Sequence, residues 1–134
     1  MVRQIGGGNM VNSHGKQICI DYSHCDFGNK YNGRWMLNLM QEAVKFAGVR
    51  EVHAHVEEFD GTKSPSGFAA VVLLDESHVS AHCYYEKGIL AIDAFTCGES
   101  DPIKIIDFIN KRLLKEMRTI KIVSTDRIQR FRHE

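Results

Sequence analysis

An α/β two-layer sandwich, a mostly antiparallel sheet with two helices on one face, is the fold class this sequence predicts. Three observations predict it. Two stretches, near 34–47 and 102–117, carry apolar residues at intervals of three and four, whereas the other apolar runs alternate or are short and continuous. Three strand-like runs follow one another between residues 67 and 97 with only short breaks, as in an antiparallel meander. The chain has 134 residues, 43% of them hydrophobic, which suits a single domain over 1–134 with one core.

The opening "MVRQIGGGNMVNSHGKQ" lacks the apolar centre of a secretory signal and reads as a flexible lead-in. "KQICIDYS" (16–23) alternates Ile18, Ile20 and Tyr22 against Cys19, Asp21 and Ser23, the period of a half-buried strand. After turn formers, Met36, Leu37, Met40, Ala43, Val44 and Ala47 line one side of a helix that ends at Gly48. "VREVHAHVEEF" predicts a strand with Val52, Ala54 and Val56 on one face, and "DGTKSPSG" (60–67) a loop. "FAAVVLLD", apolar on both faces, predicts an interior strand; "HVSAHCYY" and "ILAIDAFTC" complete the meander. Asp101 followed by Pro102 marks a helix start, with Ile106, Ile109, Leu113 and Met117 as its apolar stripe. "TIKIVST" predicts a last strand.

Lys plus Arg and Asp plus Glu each total 17, so no net field argues for nucleic acid, an anionic membrane or a highly charged substrate. The denser basic residues after Lys111 read as a polar helix face and a tail. No stretch approaches the ~20 apolar residues of a membrane span. The four cysteines, Cys19, Cys25, Cys83 and Cys97, form no CxxC pair, so reduced thiols in a cytoplasmic protein are expected.

The chemistry concentrates in "LLDESHVSAHCYYE" (73–86), where a strand carries Glu76, Ser77, His78, Ser80, His82 and Cys83. If Tyr85 pairs with Ile89 across the next turn, Ser77 falls opposite Cys97; a two-residue loop puts His78 there instead. Either register brings serine and cysteine within about 5 Å, one cross-strand spacing. His82 lies five residues beyond Ser77, so a regular pleat aims the two at opposite faces, and only a bulge or turn at Ser77 would unite them. His53 with His55, and His78 with His82, could line a metal site. A Ser-His-acid hydrolase would need a nucleophile elbow, and G-x-S-x-G is absent.

With "ESH" at 76–78, His82, Glu86 and "DAFTCG" at 93–98, the sequence resembles the small prokaryotic form of S-adenosylmethionine decarboxylase, a pyruvoyl-dependent enzyme of polyamine synthesis. "HCD" after the first strand, "EAVKFAGV", "GFAAVVLLDESH" and "DP" before the second helix follow that family's order, so the resemblance covers Gly15 to about Val123. It implies a self-made cofactor. The Ser77 hydroxyl attacks the carbonyl of Glu76 and turns the peptide into an ester. β-Elimination then releases a 1–76 chain, and the dehydroalanine left at 77 hydrolyses, losing ammonia, to a pyruvoyl group heading a 77–134 chain. His82 matches the histidine that takes the α-proton in processing. The pyruvoyl group would form a Schiff base with the substrate amine and accept electrons as carbon dioxide leaves, Cys97 acting as proton donor. Glu86 matches the carboxylate that holds the ribose hydroxyls, and Phe59 is the aromatic candidate for stacking on adenine.

The resemblance further implies S-adenosylmethionine as substrate, no metal, and a homodimer of cleaved protomers with sites at the interface. It departs from the family where Cys83, Tyr84 and Tyr85 replace Thr-Trp-Pro, and where Ala69 replaces a serine or threonine that assists processing. Two alternatives stand beside it. The same machinery could act on ornithine or arginine, with Glu86 holding a cationic side chain, or Ala69 could mark an unprocessed binding or regulatory protein.

Overall fold

The computed structural model describes the backbone of residues 2–5 and 12–133 and the side chains of 14–133. Its elements are β1 (Val2–Ile5), β2 (Asn12–Ser23), α1 (Gly33–Ala47), β3 (Glu51–Phe59), β4 (Gly67–Leu74), β5 (Ser77–Tyr84), β6 (Ile89–Cys97), α2 (Ile103–Glu116) and β7 (Lys121–His133). They form one sheet in the order β1-β7-β2-β6-β5-β4-β3. Every neighbouring pair is antiparallel except β1 and β7. Both helices pack on the same face, against each other and against β3, β4 and β6. The expected two-layer α/β sandwich is the observed architecture.

Local chemistry sets the boundaries. Asn32 caps α1, its side chain accepting from the Trp35 N–H at 3.0 Å, and Gly48 ends the helix at φ 75°. Asp101 Oδ1 accepts from the Ile103 N–H at 3.1 Å, while Pro102 already has helical dihedrals, so the Asp-Pro start behaves as expected. The helix-facing sides of the strands supply Ile18, Ile20, Tyr22, Phe68, Val72, Val79 and Ile92, all essentially inaccessible. Met36, Met40, Ile105, Ile106, Ile109 and Leu113 meet them from the helices. Tyr22 carries its hydroxyl into this core and donates it to Asn110 of α2.

Three expectations change. The lead-in is not wholly loose: β1 pairs with β7 and β2 begins at Asn12, while residues 6–11 lie outside the described residues. The basic tail is strand, because β7 continues to His133 along β2, where its alternating residues have a partner. Val52 is 55% exposed rather than aligned with Ala54 and Val56, because a bulge between Glu51 and His53 shifts the β3 register. No helix among the described residues is long and apolar enough to cross a membrane.

Candidate active site

The site begins at two hairpin ends. Leu74 pairs with Ser77, so Asp75 and Glu76 form the turn between β4 and β5. Glu76 sits there with φ 61°, a left-handed conformation that costs a non-glycine residue about 1 kcal/mol. The strained residue is therefore the one preceding Ser77. Asp75 is tied down separately, its N–H donating to the Arg50 carbonyl at 3.0 Å.

The next hairpin differs from both expected registers. Tyr84, not Tyr85, pairs with Ile89, and His78 with Phe95, so the continued ladder sets Thr96 rather than Cys97 opposite Ser77. The cause lies in Tyr85, which is drawn off the β6 ladder: its N–H donates to the Ser66 carbonyl at 3.1 Å and its hydroxyl to Glu58 at 2.6 Å. Gly88 closes the turn at φ 61°, its carbonyl accepting from the Cys25 N–H at 2.9 Å.

Ser77 and Cys97 meet all the same. Ser77 Oγ accepts from the Cys97 N–H at 3.1 Å. Burial and the Glu76 carboxylate push the Cys97 thiol above its ordinary value, while the Ser77 hydroxyl beside it pulls the other way. The loop after Cys97 is held by the Gly98 N–H, which donates to the His14 carbonyl at 3.0 Å, and by Thr96, whose hydroxyl donates to the Ser100 carbonyl at 2.9 Å. Gly15 pairs with Cys97, and a Cβ at Gly15 would stand 2.8 Å from the Phe95 ring, so the ring occupies the space that a side chain there would need.

His82 does not join them. β5 pairs with β4 without interruption from Ser77 to Tyr84, so the required bulge is absent. Val79, Ala81 and Cys83 face the helices, and exposed His82 faces the opposite, open side of the sheet. Five residues at ~3.3 Å each put roughly 16 Å between it and Ser77. Glu86 is exposed in the turn beyond β5, at the far end from Ser77. Phe59, 40% exposed, pairs with Gly67, itself the partner of Tyr84, and so shares that far end. One protomer thus holds two clusters: Glu76, Ser77 and Cys97 at one end of β5, and His82, Glu86 and Phe59 at the other.

The open face is apolar in patches, with Leu73 near the Ser77 end and Tyr84, Ile89 and Val123 near the His82 end exposed by 44, 45, 37 and 64%. A cavity of about 320 Å³ there is lined by His82, Tyr84, Ile89 and Val123 among others. Ala69 pairs directly with His82. Among the described residues no group of three or more His, Cys, Asp or Glu converges as a metal site would require. The sequence reading assigned no role to Asp93. It lies in mid-strand, where Gln17 Nε2 donates to its Oδ2 at 3.0 Å, His78 Nε2 bonds the same oxygen at 3.1 Å, and Ser80 donates to Oδ1. An acid inside the apolar run "ILAIDAFTC" was the signal available for it.

This sandwich is one that a decarboxylase of known structure shares. The chain superposes on the crystal structure of the adenosylmethionine decarboxylase from Aquifex aeolicus VF5 with a TM-score of 0.73, covering 92% of this chain and 95% of that one at 27% identity. Among curated proteins it is 33% identical over 105 residues to the S-adenosylmethionine decarboxylase proenzyme of Sulfurihydrogenibium sp. (strain YO3AOP1), spanning 78% of this chain and 76% of the relative. It is also 33% identical over 102 residues to the proenzyme of Symbiobacterium thermophilum, spanning 75% and 74%. Residues 16–127 match the family model described as S-adenosylmethionine decarboxylase, and the chain belongs to that family.

Proposed function

We propose that this protein is a proenzyme that cuts itself between Glu76 and Ser77 and then decarboxylates S-adenosylmethionine to its aminopropyl-donor form, in the cytoplasm. The observation that carries the reading is the contact of Ser77 with Cys97 at the end of a hairpin whose strained turn residue is Glu76. A hydroxyl beside the carbonyl it must attack, with a protonated thiol against it, is a donor set that fits a pyruvoyl cofactor derived from Ser77. When formed, that group supplies an electrophilic carbonyl and an electron sink for the departing carboxylate. Cys97 holds the proton that must be delivered to carbon. Its raised thiol keeps that proton at neutral pH, as a donor requires.

A homodimer explains the separation of the two clusters. His82 and Phe59 lie on the open face, Glu86 lies at its far edge, and the exposed apolar residues of that face suit a second copy of the sheet. A two-fold axis running across the strands would lay the Ser77 end of one protomer over the His82 end of the other. His82 of the partner subunit would then serve as processing base, and the partner's Glu86 and Phe59 would receive the ribose and adenine.

The test is direct. Denaturing electrophoresis and mass spectrometry of the purified protein should give chains 1–76 and 77–134, and carbon dioxide should be released from S-adenosylmethionine. A single uncut chain would identify a non-catalytic relative; release from ornithine or arginine alone would overturn the substrate. The named relatives favour neither alternative.

A further inference from the structure

Cutting the Glu76–Ser77 bond creates a mechanical difficulty. It severs the turn that joins β5 to β4, and the newly exposed end of β5 is where the chemistry takes place. The cut end keeps its ladders, with His78 between Leu73 of β4 and Phe95 of β6, but it loses its covalent tether, and untethered strand ends fray most easily. His78 becomes the first complete residue after the cofactor and carries it on its backbone nitrogen. The lateral position of His78 therefore sets the distance from the reacting group to Cys97.

Asp93 is built to fix that position. Its two carboxylate oxygens take three donors from two strands: His78 and Ser80 of β5, and Gln17 of β2. Gln17 in turn accepts from Arg130 of β7. The His78 ring also lies 5.5 Å from that of Phe95, its ladder partner on β6. Burial alone would raise the Asp93 carboxyl, yet the bonds from His78 and Ser80 hold it below the ordinary range, so it remains a charged acceptor. With its oxygens so engaged, Asp93 is matched to neighbouring strands rather than to a substrate.

We propose that Asp93 is a positioning residue which, through His78 and Ser80, holds the severed end of β5 in register against Cys97. The proposal rests on the self-cleavage reading above. Its distinguishing feature is conditional: the clamp matters once the turn is cut, and little while the turn still tethers β5.

Amide hydrogen exchange over residues 78–81 reads this out, compared in the cleaved wild type, cleaved Asp93→Ala, and the uncut pair Ser77→Ala and Ser77→Ala/Asp93→Ala. Exchange should quicken by about tenfold or more in cleaved Asp93→Ala, with Asp93→Asn, which keeps an acceptor oxygen, in between. The uncut pair should match within about twofold. In the cleaved enzymes kcat should fall by about tenfold with KM little changed, as a displaced reacting group predicts. Equal exchange in cleaved wild type and Asp93→Ala would overturn the clamp. So would equal acceleration in the uncut pair, which would make Asp93 a general stabiliser, or failure of both Asp93 variants to be cut, which would place its role before cleavage. If the wild type itself were never cut, the self-cleavage reading would fall and take the clamp with it.

Discussion

Ser77 Oγ accepts a hydrogen bond from the backbone N–H of Cys97 at 3.1 Å, across the open end of the β5–β6 hairpin. One contact thus joins the residue proposed to become the cofactor with the residue proposed to use it. Ser77→Ala should remain a single chain of 1–134 on denaturing gels, with at most about 1 kcal/mol lost for one neutral hydrogen bond. Cys97→Ala should still be cut while its kcat falls about 100-fold or more, the scale of a missing general acid. Normal turnover in either variant contradicts the assignment.

The same thiol, as the proposed proton donor, would set an alkaline limit. Burial first, then the Glu76 carboxylate, hold Cys97 above the ordinary 9.0. The protonated donor therefore persists through neutral pH and is lost only as the pH rises through that raised value. Burial, the larger cause, does not depend on the Glu76–Ser77 bond, so a pH profile of kcat in the cut enzyme should show its alkaline limb above 9.0. Glu76→Gln should move the limb down without removing it, since burial, the larger cause, remains.

Ala69 faces His82 across the β4–β5 ladder. Ala69→Ser would put a hydroxyl within about 5 Å of the imidazole, at the cross-strand distance. The rate of self-cleavage, followed by densitometry of newly made protein, should rise by several-fold. An unchanged rate would remove this position from processing.

Stability should depend on the β2–α2 contact. Tyr22, 1% exposed, donates its hydroxyl to half-buried Asn110, so Tyr22→Phe removes that bond and should cost about 1 kcal/mol in denaturant unfolding. Ile109→Ala, at a fully buried position, should cost about 2–5 kcal/mol.

The sequence disclosed the fold more fully than the site. Period-3.6 stripes through Met36–Met40 and Ile106–Leu113 and alternation through Ile18–Tyr22 are local signals, and they held. The β5–β6 register did not, because the competition for Tyr85 comes from Ser66 and Glu58, which no local pattern reveals. The clash of parity between Ser77 and His82 was visible from spacing alone. The proposed pairing of the two across a homodimer was not, since strand geometry within one chain leaves the two residues apart. Asp93 escaped notice because its value comes from three partners distant in sequence, Gln17, His78 and Ser80.

The sheet order has a consequence for the cut protein. Chain 1–76 would own β1, β2, β3 and β4, and chain 77–134 would own β5, β6 and β7. In the order β1-β7-β2-β6-β5-β4-β3, β2 is wedged between β7 and β6, and four of the six ladders join one piece to the other. The pieces would interlace like the fingers of two hands and so stay together with no covalent link. The uncut chain would fold alone, whereas the cut pair, if unfolded, would have to find each other again by collision. Recovery from denaturant should therefore rise with protein concentration for the cut form and be independent of it for Ser77→Ala. Maturation would turn a folding problem within one chain into an encounter between two.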